Sequence, residues 1–252
     1  MAALICYERN CFQLDDPVSK FLPEFESMEV FTGGDAKNPS LEPATDPITI
    51  RHLFTHTSGI GSGGSRELGK LQGARAKTVP GAGTSLEANV KGIAASPLMA
   101  QPGTKWHYAS GHTVLGRWCA PSWPPLSCCP LFCCRLPCAH TAAGSVEVWS
   151  GMEFAAFLTE HIMGPLQMDD TRFTVAEANR DRFTKNYLHG EIPLKEGMEG
   201  DYFAGDRVPE PSGGLTGTLR DYWKFCQCLL NNLKGSACAS DSRFPLLAMP
   251  LS

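Results

Sequence analysis

A short stretch in the first half of the chain constrains its fold more than any other. Pro102-Gly103-Thr104-Lys105-Trp106-His107-Tyr108 is followed within a few residues by the apolar Val114-Leu115-Gly116. Because proline fixes one backbone angle and is favoured just ahead of a helix, the stretch predicts a turn that leads into a helix. Tyr108 then lies where the helix begins, a position from which a phenol can point into a cleft instead of a core.

A second block precedes it at residues 48–60, which run ITIRHLFTHTSGI. Thr49 can cap a short helix over Ile50 to Thr55, and Ser58-Gly59 ends that helix. Taken together, the two blocks resemble the serine β-lactamase and penicillin-binding-protein superfamily, and most closely its family VIII esterase and transacylase branch. The resemblance extends over residues 1–117 and 146–233, well beyond a chance match of single triplets.

The resemblance implies an α/β fold in which a helical lobe lies beside an antiparallel sheet, with strands drawn from both ends of the chain. Convincing strands are few in this sequence, namely Met28 to Phe31 and Thr171 to Val175. We therefore expect a mainly α fragment of the α/β serine β-lactamase-like fold, truncated at both ends. The helical lobe would be retained and the antiparallel sheet largely missing.

The chemistry that the family implies is acyl transfer through a serine ester. A serine hydroxyl attacks an ester or amide carbonyl, and a lysine one helical turn later shares the proton transfers with a tyrosine. The resemblance assigns Tyr108 to that catalytic tyrosine. The nucleophile motif Ser-x-x-Lys occurs nowhere in the 252 residues, and the alignment would place it a few residues before Met1. We expect a parent serine hydrolase, esterase or acyltransferase, and a chain that is catalytically silent as given.

Two alternatives stay open beside this interpretation. A non-catalytic scaffold of the same fold could use the lobe to bind a ligand or a partner. Tyr108 itself could be a half-buried aromatic residue whose hydroxyl finds a backbone partner.

Four further residues are candidates for substrate binding: Trp106, Ser110, Ser212 and Gly213. Trp106 stands at the family's spacing, and Ser110 replaces the amide of the family's Tyr-x-Asn triplet, which favours the esterase or transacylase branch over β-lactam turnover. Ser212-Gly213 matches a glycine-rich loop that borders the family's cleft, although a plain turn would have the same composition. The family's third motif, on an edge strand, should follow residue 235, where no strand pattern is present.

Composition excludes several classes of partner. The formal net charge is −4 and no basic stripe is present, so nucleic acid is not an expected partner. No apolar stretch approaches the roughly 20 residues of a membrane-spanning helix. Because MAALICYERN lacks the pattern of a signal peptide, we expect a cytoplasmic protein. The resemblance implies that the parent protein acts on a small-molecule ester or amide.

The domain that carries the resemblance is interrupted. We expect its first part at residues 1–117, a Cys/Pro-rich insert at 118–145, its continuation at 146–235 and an irregular tail at 236–252. The codons of Trp118 and Cys119 supply a GT dinucleotide and those of Ser145 can supply an AG, so removal of the segment between them keeps the reading frame. A retained intron is our hypothesis for the insert.

Two groups of side chains contain residue types that can bind a metal ion. Cys128, Cys129, Cys133, Cys134, Cys138 and His140 do not have the spacing of paired Cys-x-x-Cys ligands. His52 and His56 are spaced like a zinc pair, but Leu53 stands where a metalloprotease needs glutamate, which favours packing at the helix end. Neither a metal nor a cofactor is expected.

Helix signals are clear at four further places. Residues 1–9 indicate the end of a helix, and the capping boxes Thr84-Ser85-Leu86-Glu87 and Ser150-Gly151-Met152-Glu153 indicate two more. Thr218 starts the last helix. Its expected buried face comprises Tyr222, Phe225, Cys226, Leu229 and Leu230. Residues 33–47 and 61–83 are expected to be loops.

Overall fold

The computed structural model describes residues 1–61, 65–117, 152–185, 202, 203, 205 and 207–233. The chain divides into two compact units. Unit 1 comprises Met1–Leu158 and Glu210–Ser212, and unit 2 comprises Thr159–Pro209 and Gly213–Ser252. The predicted insert, the capping box at Ser150, the region after residue 235 and the irregular tail lie outside the described residues.

Helices dominate the described part of unit 1. They are α1 (Ala2–Glu8), α2 (Ile50–Phe54), α3 (Arg66–Lys77), α4 (Leu86–Ala94), α5 (Gly111–Gly116) and α6 (Phe154–Leu158), with 3-10 turns at Val18–Lys20 and Pro23–Phe25. Helix α5 packs against α1, α2 and α4, and α3 packs against α4. The most deeply buried large side chains of the unit are Cys6, Val18, Ile50, Leu53, Val90, Leu98, Val114 and Phe157.

The start of α2 confirms the predicted cap. The His52 backbone N–H donates to Thr49 Oγ1 at 3.3 Å, and the Thr49 N–H donates to His52 Nδ1 at 3.2 Å. A histidine therefore takes the place that glutamate holds in the common capping box. The Arg51 guanidinium donates two hydrogen bonds to the Asp15 carboxylate oxygens, at 2.7 and 2.8 Å. This bidentate pair joins α2 to the segment after α1.

Strand β1 (Glu29–Gly34) and strand β2 (Pro39–Pro43) form a two-stranded antiparallel sheet with a bulge between Phe31 and Gly33. The strand predicted at Met28 to Phe31 is confirmed in position. The loop predicted at 33–47 is wrong where β2 lies, because alternating main-chain pairing outweighs the proline and glycine content of that stretch.

Helix α3 corrects the prediction of a surface loop over residues 61–83. The Ser65 side chain accepts a hydrogen bond from the Leu68 N–H at 3.0 Å and caps the helix. Leu68 and Leu71 are buried, and α3 packs on α4. The other positions of α3 are rich in glycine, lysine and arginine, so its apolar stripe is narrow. The sequence pattern therefore indicates a loop.

The helix predicted after residue 84 is confirmed as α4, but its cap is Ser85 and not Thr84. Ser85 accepts from the Ala88 N–H at 3.1 Å, whereas Thr84 Oγ1 donates to the Gly81 carbonyl. The helix predicted after Ser150 is confirmed as α6. It continues as a π-helical turn at Thr159–Met163.

Unit 2 contains a 3-10 helix at Glu177–Arg182 and helix α7 (Leu219–Leu233). The predicted cap is confirmed, since the Asp221 N–H donates to Thr218 Oγ1. The predicted buried face is wrong at Tyr222, which is 64% exposed, and at Leu230, which is 43% exposed. Its other members, Phe225, Cys226 and Leu229, are half-buried. The helix instead buries Asp221, whose carboxylate accepts from the Asp170 N–H and from Thr171 Oγ1.

The strand predicted over Thr171 to Val175 is also wrong. Within the described residues it is reduced to an isolated bridge, in which Arg172 and Thr216 exchange backbone hydrogen bonds at 3.0 and 2.9 Å. The expectation that a larger sheet is missing stays a prediction. No helix of the described residues has both the length and the hydropathy needed to cross a membrane.

Gly59 ends the turn after α2 and requires glycine for two reasons. Its φ is +76°, a left-handed conformation that is costly for residues with a Cβ. A Cβ there would also overlap the Ala100 carbonyl oxygen.

We predict that Gly59→Ala lowers the free energy of unfolding by more than about 2 kcal/mol, since strain and overlap add. Gly69→Ala is the matched control. Gly69 lies in α3 with open space around its Cβ position, so alanine should raise stability by about 0.5–1 kcal/mol. Urea denaturation of both variants, followed by circular dichroism, measures the difference. Equal stability of the two variants would contradict the assignment.

Candidate active site

Tyr108 lies two residues before the cap of α5, at the end of a segment that is tied to the turn after α2. The Gly103 N–H donates to the Thr57 carbonyl at 2.7 Å, and the His107 N–H donates to the His56 carbonyl at 2.8 Å. These bonds hold the backbone on either side of Trp106. The two sequence blocks that carry the family resemblance are therefore neighbours in the structure.

His56 is the centre of an aromatic cluster formed with Trp106, Tyr108 and His112. Its ring centroid lies 4.9 Å from that of Tyr108, 4.5 Å from that of His112 and 6.2 Å from that of Trp106. The backbone of His56 has a φ of +57°, a strained conformation that non-glycine residues keep where the surrounding structure demands it. The cluster thus depends on an unusual backbone at one residue.

The exposure of the two aromatic candidates differs from that of core residues. Tyr108 is 74% exposed and Trp106 is 64% exposed. A half-buried tyrosine with a backbone partner, the alternative drawn from the sequence, does not describe this geometry. The Tyr108 ring is tilted by 42° to the His56 ring.

Two histidines of unit 1, His112 and His52, have a lowered pKa. Burial, His56 and the amino group of Met1, in that order, lower the pKa of His112 below its ordinary 6.5. Burial also lowers the pKa of His52. Since charge is disfavoured on His112, the imidazole that contacts His56 is neutral near pH 7. No group of three or more metal-ligating side chains is found among the residues that the structure describes.

A cavity of about 590 Å³ is present, and every described residue that lines it belongs to unit 1. Ser110 and Ser212, two predicted substrate-binding residues, both line it. The wall between them includes Thr113 and Glu210, and Thr113 Oγ1 donates to Glu210 Oε1 at 2.5 Å. Trp106 and Tyr108 are not among the lining residues. Gly213 belongs to unit 2, so the predicted pair Ser212-Gly213 is divided between the units.

The far wall of the cavity comes from α3 and α4, the region mistaken for a loop. Gln72 donates both amide hydrogens, to the Gly61 carbonyl at 2.6 Å and to the Pro97 carbonyl at 3.0 Å. Gly73, Ala76 and Gly92, which carry no side chain larger than a methyl group, also line the cavity. Because both partners of the amide are acceptors, its orientation is settled by the hydrogen-bond pattern.

Sequence reasoning missed three residues of this region. The sequence pattern favours packing for His56, does not mark Glu210, and predicts a loop where Gln72 lies. The Thr-His-Thr-Ser-Gly stretch was the one available signal for His56. No sequence signal pointed to Glu210, because its partner Thr113 is 97 positions away.

A family model described as Beta-lactamase matches residues 1–120 and 138–247. The chain belongs to the beta-lactamase family. The match leaves residues 121–137 unaligned, within the predicted insert, whose origin stays a hypothesis. The assignment places the two sequence blocks and the Tyr108 segment inside the family's domain.

Curated relatives of this beta-lactamase family chain include enzymes of two kinds. "Acyltransferase calJ" of Penicillium decumbens is 28% identical over 226 residues, which are 88% of this chain and 47% of that protein. "Esterase EstB" of Burkholderia gladioli is 29% identical over 258 residues, 92% of this chain and 54% of that protein. The chain spans about half the length of the curated relatives it matches.

Among solved structures, EstCE1, a hydrolase with promiscuous acyltransferase activity, matches with a TM-score of 0.64 at 19% identity. The match covers 96% of this chain and 57% of that one. It supports a β-lactamase-like α/β fold. Homologues of the chain are thus esterases and acyltransferases of the serine β-lactamase and penicillin-binding-protein superfamily.

The depressed pKa of His112 predicts a pH-dependent stability. Above pH 6.5, the ordinary pKa of histidine, His112 is mostly neutral in both the folded and the unfolded chain, so its titration does not affect stability. Below pH 6.5 the unfolded chain binds the proton more readily than the folded chain does. The free energy of unfolding should therefore fall between about pH 7.5 and 5.5, and His112→Gln should flatten that slope. Urea denaturation across the range measures it. An NMR titration midpoint for His112 at or above 6.5 would contradict the prediction.

Proposed function

We propose that the chain is the tyrosine-bearing part of a serine-dependent esterase or acyltransferase that acts on small-molecule esters or amides. The observation that carries the proposal is Tyr108, an exposed phenol held against His56 at the start of α5. A proton must leave the attacking alcohol and reach the departing group in such a reaction. A phenol accessible to substrate, on a backbone tied down on both sides, suits that transfer.

The names of the relatives support both halves of the proposal. The curated relatives include acyltransferases and an esterase, and the two activities share one acyl-enzyme step. They differ in the acceptor, which is water in an esterase and another alcohol in an acyltransferase. The sequence change from asparagine to Ser110 favours this pair of activities over β-lactam hydrolysis.

The candidate substrate-binding residues have distinct roles in this proposal. Ser110 and Ser212 offer hydroxyls inside the cavity, where they can hydrogen-bond a polar substrate group. Trp106 offers an exposed aromatic face beside Tyr108. Gly213 continues the Ser212 loop.

The nucleophile is the second element of the proposal. Ser-x-x-Lys is absent from the sequence, so we propose that these 252 residues alone form no acyl-enzyme. Helix α1 packs against α5, the helix that follows Tyr108. A serine carried just ahead of α1 would therefore approach Tyr108.

A second candidate function is a ligand-binding scaffold without catalysis. The cavity favours it, because an opening of about 590 Å³ with a small number of polar groups is a common form of ligand site. Reaction with an acyl-enzyme probe separates the two candidates, since a scaffold binds without forming a covalent bond.

The purified chain is expected to remain unlabelled by a fluorophosphonate probe and to leave a chromogenic short-chain ester intact. In-gel fluorescence and absorbance measure the two outcomes. A fluorophosphonate adduct on any serine of this chain, located by mass spectrometry, would overturn the claim that it is silent.

For a product of the same gene that carries Ser-x-x-Lys ahead of Met1, we predict labelling and ester hydrolysis. Tyr108→Phe should lower its kcat by about a hundredfold or more, as loss of acid–base catalysis does. Tyr7→Phe is the matched control, since Tyr7 packs against Phe12 and lies outside the His56 cluster. An equal loss in both variants would contradict the role given to Tyr108.

A further inference from the structure

The cavity of unit 1 contains a carboxylate with one oxygen fully engaged and the other available. Glu210 Oε1 accepts from Thr113 Oγ1 at 2.5 Å, from Ser212 Oγ at 3.1 Å and from the Ser212 N–H at 3.4 Å. Glu210 Oε2 has no hydrogen-bond or ion-pair partner among the residues that the structure describes. The carboxylate is therefore oriented by its own surroundings, with one acceptor left for a ligand.

Close backbone packing fixes the position of this carboxylate. Residues 210–212 return to unit 1 and lie against α5. A Cβ at Gly116 would overlap the ring of Pro211, so the glycine permits the close approach. Thr113, which holds Glu210, is 3% exposed and sits one helical turn before Gly116. The acceptor is thus placed by a rigid helix and not by a free loop.

Among the described residues, no cation forms an ion pair with Glu210. Within the described part of the chain, it carries the one charged side chain among the residues that line the cavity. Two cations close to the cavity in sequence are paired elsewhere. Arg117 and Lys91 both pair with Glu87, at 2.8 and 2.6 Å. A negative charge in a recess walled by small neutral residues attracts a cation.

We propose that the cavity binds an organic ammonium group, with Glu210 as the residue that determines this specificity. The ammonium donates to Glu210 Oε2, and the carbon skeleton lies against Gly73, Ala76 and Gly92. Charge-assisted hydrogen bonds are the strong ones, so a cationic ligand gains most here. The inference rests on the proposed function only in placing the non-reacting end of the substrate in this cavity.

Three ligands of equal size and different charge test the proposal on the unaltered chain: benzylammonium, benzyl alcohol and benzoate. Calorimetry at low ionic strength measures their binding. Benzylammonium should bind saturably and at least about tenfold more tightly than benzyl alcohol, with benzoate the weakest. Equal binding of the alcohol, or no saturable binding of the ammonium, would overturn the proposal. None of the three carries an acyl group, so this result is independent of esterase activity.

Two variants then locate the effect. Glu210→Gln keeps an oxygen that can accept from Thr113 and Ser212 but removes the charge, so ammonium binding should weaken by about tenfold or more. Glu24→Gln, at an exposed glutamate in the Pro23–Phe25 turn, is the matched control and should bind as the unaltered chain does. Unchanged ammonium binding in Glu210→Gln would overturn the proposal. So would an equal loss of alcohol and ammonium binding, because the carboxylate would then act only through the shape of the cavity.

Discussion

Three backbone hydrogen bonds between the turn after α2 and the segment leading to α5 hold the site together. They join Met99 to Gly59, Gly103 to Thr57 and His107 to His56, at 2.8, 2.7 and 2.8 Å. All three bonds require a sharp reversal of the chain after α2. His56 and Gly59, with φ angles of +57° and +76°, provide it. The arrangement brings a tyrosine and a histidine from distant parts of the sequence into ring contact. Everything proposed for Tyr108 depends on this pairing.

Buried polar groups set the second level of organisation. Helix α7 buries the carboxylate of Asp221 and exposes the side chain of Tyr222. Hydrogen bonds from the Asp170 N–H and Thr171 Oγ1 to that carboxylate compensate for its loss of water. Glu210 behaves in the same way in unit 1, where Thr113 and Ser212 engage one oxygen. In both places polar satisfaction, and not the apolar pattern, decides which side chains reach the surface.

Local signals predicted helices well where the cap and the apolar period agreed. The Thr49 and Thr218 caps and the helices α1, α4 and α6 were confirmed, since each is stabilised by contacts within a few residues. Prediction was wrong where distant partners supply the stabilisation. Helix α3 depends on packing against α4, strand β2 depends on pairing with β1, and the face of α7 depends on Asp170 and Thr171. None of these partners is visible in a short window of sequence.

By itself the sequence determined the family, through two motif blocks whose glycines, prolines and aromatics leave few alternative backbones. It also marked Tyr108, Ser110 and Ser212 as candidate site residues. Only the tertiary structure decided that His56 contacts Tyr108, that α3 walls a cavity, and that Glu210 presents a free oxygen in it. The physical reason is that motifs record local backbone requirements, whereas a site is made by side chains whose contacts span 50 to 100 positions, such as Thr113 with Glu210.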